Sequence, residues 1–193
     1  MILKELEDKV KEFADYVVQQ SRSNLTKGGK KGSYNATGKL YNSIKPSIIT
    51  EKDAFIVQFE MEDYGLFQDQ GVKGTTSSYI ENAKSPFKFG TGSGRKGGLT
   101  DGIQSWVKLK KFRWRDKKGR YMSYNSISYI IINSIWRKGL RARFFFTTPF
   151  DKGIQRFGDQ FLNAFILDTE KNIMRDKKKS SPNMTPLKNS LGL

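Results

Sequence analysis

From Phe150 onward, apolar side chains return every three or four positions, at Phe150, Ile154, Phe157, Phe161, Phe165 and Ile166. That period is the signature of a helix with one buried stripe. Thr147-Thr148-Pro149 stands before it, a capping hydroxyl followed by a proline suited to the first helical turn. The spacing predicts a helix to about Met174, followed by a Lys/Ser/Pro/Asn arm that opens with Lys177, Lys178 and Lys179 and holds too little apolar surface to order itself. At the other end, Leu3, Leu6, Val10, Phe13 and Val17 make an amphipathic helix opposite Glu5, Glu7, Asp8 and Lys11. Residues 1–26 thus form an N-terminal helix, free to pack on its own subunit or on a neighbour. Residues 27–36, rich in Gly and Lys, form a flexible basic linker.

Between these ends the pattern changes. Thr37 is placed to cap a short helix carrying Leu40, Tyr41 and Ile44, which Pro46 stops. Ile48–Thr50 and Ala54–Met61 flank a Glu51-Lys52-Asp53 turn, and Phe55, Val57, Phe59 and Met61 alternate with Ile56, Gln58 and Glu60. That two-residue period predicts an antiparallel hairpin over 47–61. Tyr64–Phe67 reads as a short helical turn ending near Gly71. Residues 71–98 hold seven glycines and five Lys or Arg, and are expected to form a long protruding loop. Thr100 or Asp101 opens a helix through Ile103, Trp106 and Val107. Ser123 or Ser126 opens another through Ile127 and Ile131, ending at Gly139. Phe144, Phe145 and Phe146 read as an extended apolar run. The whole predicts an α+β core over 37–176: a small antiparallel sheet seeded by the hairpin, three to four packing helices, the 71–98 insertion, and a flexible 177–193 arm.

Composition excludes much chemistry. The 193 residues include no His and no Cys, so there is no Cys/His zinc site, disulfide, Ser-His-Asp triad or Cys-His pair. Gly92-Ser93-Gly94-Arg95-Lys96-Gly97 has the letters of a dinucleotide loop but lacks the strand before it and the helix after it. Glu51, Asp53, Glu60, Glu62, Asp63 and Asp69 would have to converge on metal ions to make a nuclease, and their spacing does not require that. No catalytic residue, cofactor or metal is therefore expected, and the chain is read as a non-enzyme. No apolar run approaches the roughly 18 to 20 residues of a membrane span, and the charged N-terminus is unlike a signal peptide.

The formal charge is +16, from 35 Lys and Arg against 19 Asp and Glu, and it is unevenly placed. Residues 46–70 sum to −5 and residues 71–121 to +10. Separated patches of opposite sign can steer nucleic acid or dock copies head to tail. The strongest basic cluster is Lys108, Lys110, Lys111, Arg113, Arg115, Lys117, Lys118 and Arg120, interleaved with Phe112, Trp114 and Tyr121. Cations there could neutralise phosphates while the rings stack on bases, or the rings could return to the core. Sequence-independent nucleic-acid binding is the alternative function.

In order along the chain, Thr37-Gly38-Lys39-Leu40-Tyr41-Asn42-Ser43-Ile44, Tyr64 to Gly74, Gly102-Ile103-Gln104-Ser105-Trp106-Val107, Ile135-Trp136-Arg137-Lys138-Gly139 and Phe146-Thr147-Thr148-Pro149-Phe150 resemble the head-to-tail joining and tail-completion proteins of tailed bacteriophages. Gln68 or Asp69 stands where that family often has Glu. The resemblance covers about residues 37–165. It implies a small α+β virion protein, assembled in the bacterial cytoplasm into a ring of six or twelve copies in the neck or tail. Its partners would be portal, neck or tail ring proteins, with non-specific DNA contact in the channel and no membrane. On this reading Tyr64, Phe67, Asp69, Gln70, Phe87 and Phe89 are candidates for the ring interface.

Overall fold

The computed structural model describes residues 3–27, 37–51, 54–91 and 98–180. Residues 28–36 of the basic linker (27–36), the G-x-G-x-x-G stretch (92–97) and the last thirteen residues of the arm (181–193) lie outside the described residues. The fold is α+β. Helix α1 (Lys4–Thr26), α2 (Lys39–Ser43), β1 (Lys45–Thr50), β2 (Phe55–Glu60), α3 (Tyr64–Gln70) and β3 (Val72–Lys73) are followed by α4 (Gly98–Leu109), α5 (Tyr124–Lys138), β4 (Gly139–Leu140) and α6 (Thr147–Ser180).

The two long helices form the frame, so α1 packs on its own chain. Val10, Phe13, Ala14, Val17, Val18, Ser21 and Leu25 are its buried face, at spacings of three and four. It lies antiparallel on α6: Glu5 and Leu6 N–H groups meet Asp168 at one end, and Asn24 Nδ2 donates to Phe145 O at 3.3 Å at the other. Phe13 is the hub. Its ring meets those of Phe59, Phe150, Phe157 and Phe161 edge-on, with centroids 5.7 to 6.3 Å apart. Each buried ring contributes about 1.5–3 kcal/mol, and edge-on pairs add about 0.5–1.5 kcal/mol more. α2 is docked by Arg22, which donates to Tyr41 O and Ile44 O at 3.1 and 2.9 Å. The N-cap of α2 is Gly38, with φ +76°, rather than the expected Thr37, whose Oγ1 accepts from Lys39 N at 3.3 Å from one residue further out.

The hairpin forms with register Lys45↔Glu60 to Thr50↔Phe55. Phe55, Val57 and Phe59 face inward and Ile56, Gln58 and Glu60 outward, as the alternation predicts.

Several expectations are corrected. The first part of the 71–98 segment is anchored: β3 pairs with β4, Lys73 exchanges backbone hydrogen bonds with Phe87 and Phe89, and the N–H groups of Thr75, Thr76 and Ser77 satisfy the last carbonyls of α5. Backbone polarity, rather than apolar periodicity, fixes it. Helix α4 starts at Gly98, before Thr100. Phe144 is not extended but has φ +50°, a left-handed conformation costing about 1–3 kcal/mol, held because Asp69 O accepts from both Arg143 and Phe144 N–H. Helix α6 does not stop near Met174. It continues to Ser180, so Lys177, Lys178 and Lys179 belong to its last turns rather than to a loose arm. Ser123 caps α5 by accepting from Ser126 N at 3.2 Å, and Gly139 ends it, as expected.

Candidate functional site

Two surfaces and one buried clasp contain the sequence-predicted site residues. The clasp is Asp69, on α3. It was expected at an interface between subunits, but it is 1% exposed and works inside the chain. Its Oδ1 accepts from Phe146 N at 2.7 Å and Thr147 N at 3.2 Å, and its Oδ2 accepts from the Thr147 hydroxyl. The N-terminus of α6 leaves N–H groups unpaired and carries partial positive charge, so a carboxylate there satisfies and stabilises it. The capping hydroxyl of Thr147 thus donates to a carboxylate brought from 78 residues away. Asp168 repeats the device in reverse: it lies on α6 and caps the start of α1, accepting from Glu5 N at 3.1 Å and Leu6 N at 2.9 Å.

The other predicted interface residues divide. Phe67 and Phe87 come together, rings edge-on at 4.6 Å, and Phe89 lies against Trp136 at 5.4 Å. Tyr64, at the start of α3, stands beside Glu62 and Lys39. Burial, with the Glu62 carboxylate second, pushes its phenol above the usual value. Lys39 is itself raised by its hydrogen bond to Glu62, 3.0 Å away. Gln70 is half-buried. Among the described residues no three carboxylates come together as a metal site. Glu60 is solvated, Glu62 is paired with Lys39, and Asp53 lies outside the described residues. A shallow groove of about 410 Å³ between Thr76 and the α5 residues Tyr129, Asn133 and Arg137 has no carboxylate in its lining.

The basic cluster forms a tight ribbon. Arg115 and Tyr121 bridge antiparallel strands, Met122 N donates to Trp114 O at 2.9 Å, and Gly119 turns the chain at φ +79°. Asp116 organises the turn, accepting from Lys118 N and Arg120 N at 2.9 Å each and from Arg120 Nε at 3.1 Å. Lys108, Lys110, Lys111, Arg113, Arg115, Lys117, Lys118 and Arg120 are all exposed. The rings are engaged only in part, with Trp114 39% and Tyr121 62% exposed. Phe112 packs on Trp106 at 4.7 Å and on Trp114 at 6.2 Å, while the Arg115 guanidinium covers Tyr121 at 4.7 Å.

Sequence reasoning missed the outer flank of α6. The stripe read as one face is split: Phe157 is buried with Gly153, Ala164 and Asp168, whereas Ile154, Leu162, Phe165, Ile166 and Ile173 are 44–60% exposed on the far side. Leu162 and Ile173 are the signal that was available, apolar residues beyond the width of one stripe. The hairpin adds a second exposed apolar pair, Ile49 and Ile56, directly opposite each other in register.

No protein-family model, no curated protein and no solved structure matches the chain.

Proposed function

We propose that this chain is a structural subunit of an oligomeric ring, of six or twelve copies, joining head to tail in a phage particle, and that it catalyses nothing. The observation that carries the assembly reading is the outer flank of α6. From Ile154 to Ile173 it is about 30 Å long at 1.5 Å per residue, largely apolar, and uncovered by the described residues of the subunit. Gly158 lies on that flank, and a Cβ there would meet nothing within 4 Å. Glycine in mid-helix costs about 0.5–1 kcal/mol relative to alanine, with no compensating contact among the described residues. Close approach of a second copy supplies one.

A ring needs two different patches that meet head to tail. The α6 flank and the outer face of the hairpin, with Ile49 and Ile56, are two such patches. The placement at a neck or tail rests on the segments that resemble the phage joining family. In the fold those segments are joints: residues 37–44 dock α2 on α1, residues 64–74 lead from α3 into β3, and residues 146–150 start α6 over Asp69.

Mass photometry and sedimentation without nucleic acid test this. Discrete higher oligomers are expected from the wild type, and Leu162→Lys with Ile166→Lys should leave a monomer of unchanged helical content. A wild type that stays monomeric at every concentration, or a double variant that assembles normally, would overturn the assembly reading.

A further inference from the structure

The ribbon at residues 112–122 turns outward a positive face that nothing else in the described fold uses. Successive residues of a strand point to opposite sides. Phe112 and Trp114 go one way: Phe112 packs on Trp106 of α4, and Trp114, 39% exposed, lies against Phe112. Arg113, Arg115 and Tyr121 go the other way, with Lys117 and Lys118 at the tip. Among the described residues, none of Arg113, Arg115, Lys117 and Lys118 has an ion-pair partner, and the acid in the ribbon, Asp116, is committed to the turn and to Arg120. The face is therefore held rigid while its cations stay unneutralised.

We infer that this face is a sequence-independent contact for the phosphodiester backbone of duplex DNA. Cations on alternate residues lie about 7 Å apart, a spacing comparable with successive phosphates of one strand. The Arg115 guanidinium covers one face of Tyr121, which is 62% exposed, and Phe112 packs back on Trp106 of α4, so cations make up the larger part of what the face presents. A two-stranded ribbon also has the width to enter a major groove. The proposal stands apart from ring assembly, since it uses α4–α5 connecting residues rather than α6 or the hairpin.

The test is fluorescence anisotropy of a labelled duplex of about 20 base pairs across a salt series, with affinity falling steeply as counterions are released. Replacing Arg113, Arg115, Lys117 and Lys118 together by Ala should reduce the slope of log affinity against log salt by about three to four, with at least about 30-fold weaker binding at 0.1 M salt. Removing the same charge elsewhere, at the exposed Lys45, Lys84, Lys138 and Lys152, should change affinity less than about threefold. Unchanged circular dichroism confirms that both variants fold. Absence of duplex binding, equal losses in the two variants, tighter binding to a single strand of the same sequence, or equal competition by polyglutamate at matched charge would each overturn the inference.

Discussion

The half of the molecule built on α1, α6 and the hairpin and the inserted half from Gly71 to Arg143 are held together by different physics. The first is a set of interlocked rings around Phe13, with Gly153 so close that a Cβ there would lie 2.8 Å from the Phe13 ring. The second is fastened by small polar groups. Asn82 is fully buried, donating from Nδ2 to Val72 O and Leu140 O and accepting at Oδ1 from Ala142 N, each at 2.8 Å. Ser85 Oγ donates to Gly71 O at 2.7 Å. Gly71 and Gly139 have φ of +73° and +89°, and a Cβ on either would lie under 2.5 Å from a neighbouring atom. Apolar packing tolerates some change in shape, whereas a close-fitted polar joint fails when one partner goes. Asp69 couples the halves, through a carbonyl to Arg143 and Phe144 and a carboxylate to α6.

The largest expected effect breaks the first half. Phe13→Ala should cost about 3–5 kcal/mol in denaturant unfolding, and the whole chain should lose cooperativity because α1 then has no hub. Next, Asn82→Ala should cost about 2–4 kcal/mol by stranding two buried carbonyls and one N–H. Hydrogen exchange should accelerate over 72–90 and 139–142 while α1 and α6 keep their protection. Equal acceleration everywhere would mean that the two halves are one cooperative unit. Gly158→Ala is expected to act in the opposite direction, stabilising the isolated subunit by about 0.5–1 kcal/mol while weakening assembly. Raised thermal stability with unaltered oligomers would remove the glycine from the interface.

The smallest effect is the pH response of the Glu81–Arg141 pair. The carboxyl of Glu81 is held below its ordinary value by its own backbone N–H first and by Arg141 second. Because the folded value is the lower one, the stabilisation is complete above the unfolded value near 4.5 and fades as pH falls through the folded value. Chemical shifts around residues 80–82 should follow that titration in the wild type and move to a higher midpoint in Arg141→Met.

The hairpin was legible because one buried sheet face forces alternation on Phe55, Val57 and Phe59. Helix α6 was legible as a helix, but not which residues of its stripe turn inward. The position of Phe13 decides that, and spacing within α6 holds no information about it. Asp69 reads as an interface residue because the Phe146 and Thr147 groups it caps lie 77 and 78 residues away and nothing near it in sequence shows them. Asn82 and Ser85 looked like loop residues for the same reason: their burial depends on Val72, Leu140 and Ala142 arriving from β3 and β4. The basic ribbon was visible as composition. That Phe112 turns back onto α4 while Trp114 and Tyr121 stay exposed among the cations depends on the bridge between Arg115 and Tyr121, which spacing alone does not show.

The chain contains no cysteine, so a single introduced thiol reports from one position. With a polarity-sensitive fluorophore on Leu162→Cys, and a control on Ser105→Cys of α4, emission is followed together with mass as concentration rises. If the outer flank of α6 is the assembly surface, the label at 162 shifts to the blue in step with growth in mass and the label at 105 does not move. A label at 162 that remains in water while larger species form, or a mass that never grows, would contradict the account.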